Sequence, residues 1–120
     1  VPTTCGTGSE GNGFAVLTNP LNGDKKSLRC NAIVAKASII DSECMMTMPK
    51  SILASVGFDA FCHCMEAFIS KIGQPLTDMM SLQGMKLIGK YLVPLYEGQC
   101  SLEAWDALSW ASTLSSIRRV

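Results

Sequence analysis

A change of pattern at Pro49 is what most constrains how this chain can fold. Before it the sequence is glycine-rich, with short apolar runs. After it glycine thins out and apolar residues recur every three or four positions. A strand repeats every two residues and a helix every 3.6, so one type of element cannot satisfy both halves. Strands are therefore expected before Pro49 and helices after it. "FAVLT" (Phe14–Thr18) reads as a strand, Asn22-Gly23 as a turn signal, and "SLRC" (Ser27–Cys30) as the hairpin partner. "ASIID" (Ala37–Asp41), an apolar run between polar residues, reads as a further buried strand.

The second half reads as about four helices. Pro49 suits a first turn, with Thr47 as its cap. Ile52, Leu53 and Val56 form one short face that Gly57 ends. Phe58, Phe61, Cys62, Met65, Phe68 and Ile69 give a second helix, stopping near Gly73. Pro75 opens a third, carrying Met79, Leu82, Met85, Leu87 and Ile88, which fades before Pro94. Leu102, Trp105, Leu108, Ala111 and Leu114 form the fourth. The contrast between the halves predicts pieces of two domains, residues 1–48 and 49–120.

Composition narrows the function. Ten basic and ten acidic residues cancel, which removes the electrostatic footprint of a nucleic-acid binder. No apolar run approaches the ~20 residues of a membrane span, and "VPTTCGTGSE" lacks the features of a secretory signal. A cytoplasmic protein with reduced thiols is expected. The six cysteines contain no CxxC. Cys62 and Cys64 flank His63, yet neighbours on a helix point in different directions, so the three cannot chelate one ion. Both cysteines are expected to fill core space.

Two stretches carry chemistry. In "GFDAFCHCMEAF" (Gly57–Phe68) the single histidine, His63, follows Asp59 by four residues. That spacing puts both on one helix face, able to offer a carboxylate oxygen and an imidazole nitrogen to one divalent cation. Two donors are only half of the about four such an ion takes. The plainer alternative is a hydrogen-bonded pair with nothing bound. Glu66, a turn beyond, is either a partner that steadies the ring or a solvated glutamate. In "PTTCGTGSEGNG" (Pro2–Gly13) four glycines are interleaved with Thr3, Thr4, Thr7 and Ser9. Such backbone can approach a ligand closely and present amides and hydroxyls to phosphate or ribose. No Gly-Lys-Ser/Thr follows, and a strand, not a helix, is expected after Gly13, so neither phosphate-loop fingerprint applies. A purely structural loop is the alternative. Lys25 and Lys26, at the hairpin, either reach such a ligand or are exposed turn lysines.

Together the two stretches resemble the iron-containing (group III) alcohol dehydrogenases, in the butanol and 1,3-propanediol dehydrogenase branch. "VPTTCGTGSE" is similar to that family's Pro-Thr-Thr-x-Gly-Thr-Gly-Ser-Glu segment. "IIDSECMMTMPKSILASVGFDAFCHCMEAFIS" is similar to its stretch ending in Gly-x-Asp-Ala-x-x-His-x-x-Glu. The likeness runs over residues 1–114. The resemblance implies an enzyme that interconverts primary alcohols and aldehydes with NAD or NADP. It implies a divalent metal, usually iron and sometimes zinc, held by an aspartate matching Asp59 and three histidines, the first matching His63. It implies cofactor contacts at Thr3, Thr4, Thr7, Asn12, Phe14 and Lys25. No residue is assigned a catalytic role apart from the metal.

The implied fold is an α/β fragment: the end of a Rossmann-like cofactor domain, then the first helices of an all-α metal-binding domain. The resemblance puts a Gly-Gly-Gly-Ser phosphate loop before Val1 and two further histidine ligands after Val120. The isolated chain is therefore expected to be inactive and to bind cofactor weakly. The implied partners are a small alcohol or aldehyde and, in the parent enzyme, a second copy of the chain; no nucleic acid and no membrane is expected. A non-catalytic binding or self-associating scaffold is the competing expectation. The tail "SSIRRV" departs from the family's Ala-Gly continuation, which suggests truncation or a changed reading frame.

Overall fold

A computed structural model describes residues 1–117. Two strands and three long helices follow one another in order, with the strands confined before Pro49. Strand β1 (Phe14–Thr18) and strand β2 (Lys25–Arg29) pair antiparallel, with Phe14 opposite Arg29 and Thr18 opposite Lys25. The connecting loop is closed by its own side chains: Asn22 Nδ2 donates to Asp24 Oδ2 at 2.9 Å, and Asp24 N donates to Asn22 Oδ1 at 3.1 Å. Such Asx bonds are why this composition turns. The Arg29 guanidinium lies 5.4 Å from the centre of the Phe14 ring. A lone two-stranded ribbon is marginal in water, and here nearly every hairpin residue is exposed.

The expected strand at Ala37–Asp41 does not form. That segment is irregular, and Ile39 is exposed. Asp41 accepts from Glu43 N at 3.0 Å and caps a 3-10 turn at Ser42–Met45. Ser42 then donates to the Asp106 carboxylate. The local carboxylate–amide bond competes with extension, and no neighbouring strand offers a ladder.

Three helices stand where four were expected. Helix α1 (Lys50–Phe68) runs unbroken through Gly57. Glycine is tolerated there because α2 passes so close: a Cβ at Gly57 would overlap the Leu92 methyl Cδ1 and come within 3.0 Å of Cδ2. The residue that looked like a terminator is the crossing point. Pro49 stands at the N-cap, and Thr47 makes no capping bond. Helix α2 (Pro75–Glu97) is opened by the Thr77 hydroxyl, which accepts from Gln74 N at 3.0 Å and donates to Gln74 O at 2.9 Å. It continues one turn past Pro94 because Leu95 is anchored in the core, and it closes through Gln99 N to Pro94 O at 2.9 Å. Helix α3 (Leu102–Ser116) starts where Ser101 accepts from Ala104 N at 3.1 Å.

The core lies where the helices meet. Leu53, Ala60 and Cys64 of α1, Ile88 and Leu95 of α2, and Ala104, Trp105, Leu108 and Ala111 of α3 fill it. The first half adds Cys5 and Met45. Cys64 fills space as expected; Cys62 is only half-buried. None of the six cysteines forms a disulfide. Of the tail, Ser115 and Ser116 end α3, and Arg118, Arg119 and Val120 lie outside the described residues.

The Gly57 crossing makes a stability prediction. Gly57→Leu should force α1 and α2 apart and cost about 1–3 kcal/mol. Gly57→Ala should cost less, because a helix-propensity gain of about 1 kcal/mol offsets the displacement of Leu92. Urea denaturation midpoints of the two variants check the order.

Candidate metal and cofactor cleft

Asp59 and His63 stand one turn apart on α1, as their spacing demands. His63 Nε2 lies 3.7 Å from Asp59 Oδ1, with the two side chains 29% and 49% exposed respectively. That separation is too long for a hydrogen bond. It suits two ligands of one ion, since donors at about 2.1 Å from a tetrahedral metal sit ~3.4 Å apart. The two donor atoms thus converge on one side of the helix, as the spacing predicted, without a direct hydrogen bond between them. The donor set fits a divalent metal as half a site. Among the described residues no third His, Cys, Asp or Glu joins them.

The glycine loop faces this pair. A cleft of about 620 Å³ is lined by Thr7, Ser9, Asn12, Phe14, Asp59 and His63, together with hairpin residues Ala15, Val16 and Ser27 and the α3 residues Ser115 and Ser116. Three of the six residues expected to contact cofactor, Thr7, Asn12 and Phe14, thus share a wall with both expected metal ligands. Thr3 is exposed and Thr4 half-buried, and neither lines the cleft. Lys25, paired with Thr18 near the hairpin tip, does not line it either.

Local bonds give the loop its shape. Gly8 adopts φ +58°, a left-handed conformation that side chains other than glycine rarely take, and so opens a 3-10 turn at Ser9–Gly11. Asn12 Nδ2 donates to Gly8 O at 3.0 Å, while Asn12 Oδ1 accepts from Phe14 N at 3.1 Å. Asn12 thereby locks the loop to the start of β1. Thr7 Oγ1 donates to Ser9 Oγ at 3.3 Å, which leaves the Ser9 hydroxyl proton available to a ligand. The cleft thus combines hydroxyls of the loop and of α3, the Asp–His pair, and apolar residues of β1.

Sequence reasoning offered Ser9 only as one of the loop's hydroxyls and missed Ala15, Val16, Ser27, Ser115 and Ser116. Ser9 sat in the quoted loop but carried no signal beyond its neighbours. Ser115 and Ser116 lie about a hundred positions away, and no local pattern could bring them to the cleft. Glu66 lines a separate cavity with Phe14, Ala67, Ser70 and Thr77.

Behind the loop, Cys5 is fully buried, and burial pushes its thiol up to about 11. A raised folded value means that the unfolded chain releases this proton first. The stabilisation is complete below about 9, the ordinary thiol value, and is lost as pH rises toward about 11. Stability should therefore fall across that window by at most about 1.4 kcal/mol per pH unit, and Cys5→Ala should flatten the fall. Chemical denaturation between pH 8 and 11 checks it.

Comparison with known proteins adds an independent line. The family model "Fe-containing alcohol dehydrogenase family, C-terminal" matches residues 53–118, and "Iron-containing alcohol dehydrogenase" matches residues 1–42. Sulfoacetaldehyde reductase of Bilophila wadsworthia is 38% identical over 98% of this chain and 30% of its own length. The bifunctional aldehyde-alcohol dehydrogenase of Escherichia coli K12 is 39% identical over 98% of this chain and 13% of its own. NAD-dependent methanol dehydrogenase of Bacillus methanolicus is 32% identical over 98% and 31%. Among solved structures, sulfoacetaldehyde reductase from Bifidobacterium kashiwanohense in complex with NAD+ superposes with a TM-score of 0.91 at 34% identity, covering 96% of this chain and 31% of that one. The chain spans less than a third of the length of each of these relatives.

Proposed function

The chain belongs to the iron-containing alcohol dehydrogenase family, and from that premise we propose that it works as a segment of a metal-dependent alcohol dehydrogenase or aldehyde reductase. Residues 1–48 are read as the end of the dinucleotide-binding domain and residues 49–120 as the start of the metal-binding domain. The observation that carries the reading is the shared cleft, in which Thr7, Asn12 and Phe14 face Asp59 and His63. Sulfoacetaldehyde reductase, methanol dehydrogenase and butanol dehydrogenase among the relatives support a small alcohol or aldehyde as substrate.

Asp59 and His63 would hold a divalent metal, with the remaining donors supplied from outside the described residues. When bound, the metal supplies a Lewis acid for an alcohol or carbonyl oxygen, and NAD or NADP supplies the hydride acceptor or donor. The chain's own residues build the place where this happens. Thr7 and Ser9 offer hydroxyls to the nucleotide. Asn12 spends its side chain on the loop's shape, so it positions those hydroxyls without being free to bond a ligand fully. Phe14 and Val16, on one face of β1, give an apolar surface suited to a nicotinamide ring. Thr3, Thr4 and Lys25 lie outside the cleft, so on this reading their cofactor contacts fall beyond it. A cytoplasmic setting and a homo-oligomeric parent complete the proposal.

A second reading keeps the fold and drops the chemistry. Phe58, Met79 and Val16 are 63%, 70% and 65% exposed. Apolar surface on this scale favours a chain that associates with copies of itself when nothing else covers it. Light scattering distinguishes the two: self-association without metal or nucleotide binding supports the scaffold.

The deciding measurement is metal content after anaerobic purification, for wild type and His63→Ala side by side. Half a site predicts sub-stoichiometric, easily dialysed metal in the wild type and none in the variant. Equal metal in both would remove Asp59 and His63 from the reading.

A further inference from the structure

The 3-10 turn at Ser9–Gly11 is a single turn and cannot hold its own position. The bonds around Asn12 and Thr7 fix the loop's internal shape but not its distance from the helices. Cys5, buried in the core, and Gly6, seated against Val56 of α1, hold the start of the segment, and at its middle the distance from α3 is held through Glu10. Its carboxylate Oε1 accepts from the Thr113 hydroxyl on α3 at 2.8 Å, across 103 positions of sequence. Its backbone carbonyl accepts from Ser38 Oγ at 2.6 Å. Among the described residues no second hydrogen bond joins the loop to α3. Thr113 Oγ1 also lies 3.3 Å from Ser109 O, but its one proton favours the shorter, charge-assisted bond. From below, Ser116 sets a stop, since Gly8 and Gly11 rest so close to it that neither has room for a side chain.

We propose that Glu10 is a positioning residue whose bond to Thr113 sets the separation of the glycine loop from α3, and so the width of the cleft between Thr7, Ser9 and Asn12 and the Asp59–His63 pair. Glu10 does not line that cleft and acts through the residues beside it. The consequence for ligand affinity rests on the reading that the cleft takes a nicotinamide nucleotide; the clasp itself does not.

Cys5 reports on the clasp. It is fully buried within the loop segment, so a thiol reagent reaches it only when the loop lifts. Cys64, also fully buried, lies on α1 and reports on opening of the helical core. The experiment is site-resolved thiol labelling of the full chain, paired with NADH titration, for wild type, Thr113→Val, Glu10→Ala, Glu10→Gln and the Glu10→Ala/Thr113→Val double variant. Thr113→Val and Glu10→Ala should each speed Cys5 labelling about tenfold while Cys64 keeps its rate, and each should weaken NADH binding several-fold. The double variant should go no further than either single one. Glu10→Gln keeps an acceptor oxygen but loses the charge that helps to raise the Cys5 thiol, so it controls for that effect and should bind NADH like the wild type. Wild-type Cys5 labelling in Thr113→Val, or additive effects in the double variant, would overturn the proposal. Faster Cys5 labelling in Thr113→Val upholds the clasp even where NADH binds the chain too weakly to titrate, since the clasp does not rest on the nucleotide reading.

Discussion

The docking of the glycine loop onto the last two turns of α3 is the contact on which the rest of the site depends. A glycine-rich segment pays heavily in chain entropy to be ordered. It has little side-chain area with which to offset that cost. Here Cys5 anchors one end of the loop in the helical core, Asn12 ties the other end to β1, and Glu10 clasps the middle to Thr113. Helix α3 can accept the loop because its facing residues, Ser112, Thr113 and Ser116, are small, with the Thr113 hydroxyl bonded to the loop and the Ser116 hydroxyl to its own helix.

With the loop seated, α1 needs only its own geometry to complete the cleft. The one-turn spacing of Asp59 and His63 converges their donor atoms without further support, and packing at Gly57 and Cys64 fixes which way that face turns. The chain therefore separates two tasks. A helix, buried on the opposite side, presents Asp59 and His63. A loop held by a few long-range bonds presents the hydroxyls. The exposed hairpin and the apolar outer faces of α1 and α2 fit a chain that spans under a third of its relatives' length.

Much of this was legible residue by residue. The two periods on either side of Pro49 placed strands and helices in the right order, and "FAVLT" matched β1 to the residue. Where the reading failed, a local signal had been given a local meaning. Gly57 and Pro94 looked like helix terminators, but close packing against Leu92 and burial of Leu95 carried both helices through. "ASIID" looked like a strand, but extension needs a ladder partner and Asp41 found an amide nearer by.

By itself the sequence determined whatever depends on neighbours a turn or a pleat apart: the hairpin, the amphipathic faces, and the Asp59–His63 pair. These follow from backbone periodicity, which is the same in any context. Tertiary structure alone decided which of the loop's hydroxyls face that pair, and it brought Ser115, Ser116 and the Glu10–Thr113 bond into play. The physical reason is separation along the chain: contacts a hundred residues apart are chosen by how the helices pack in the core, and no local pattern records that choice.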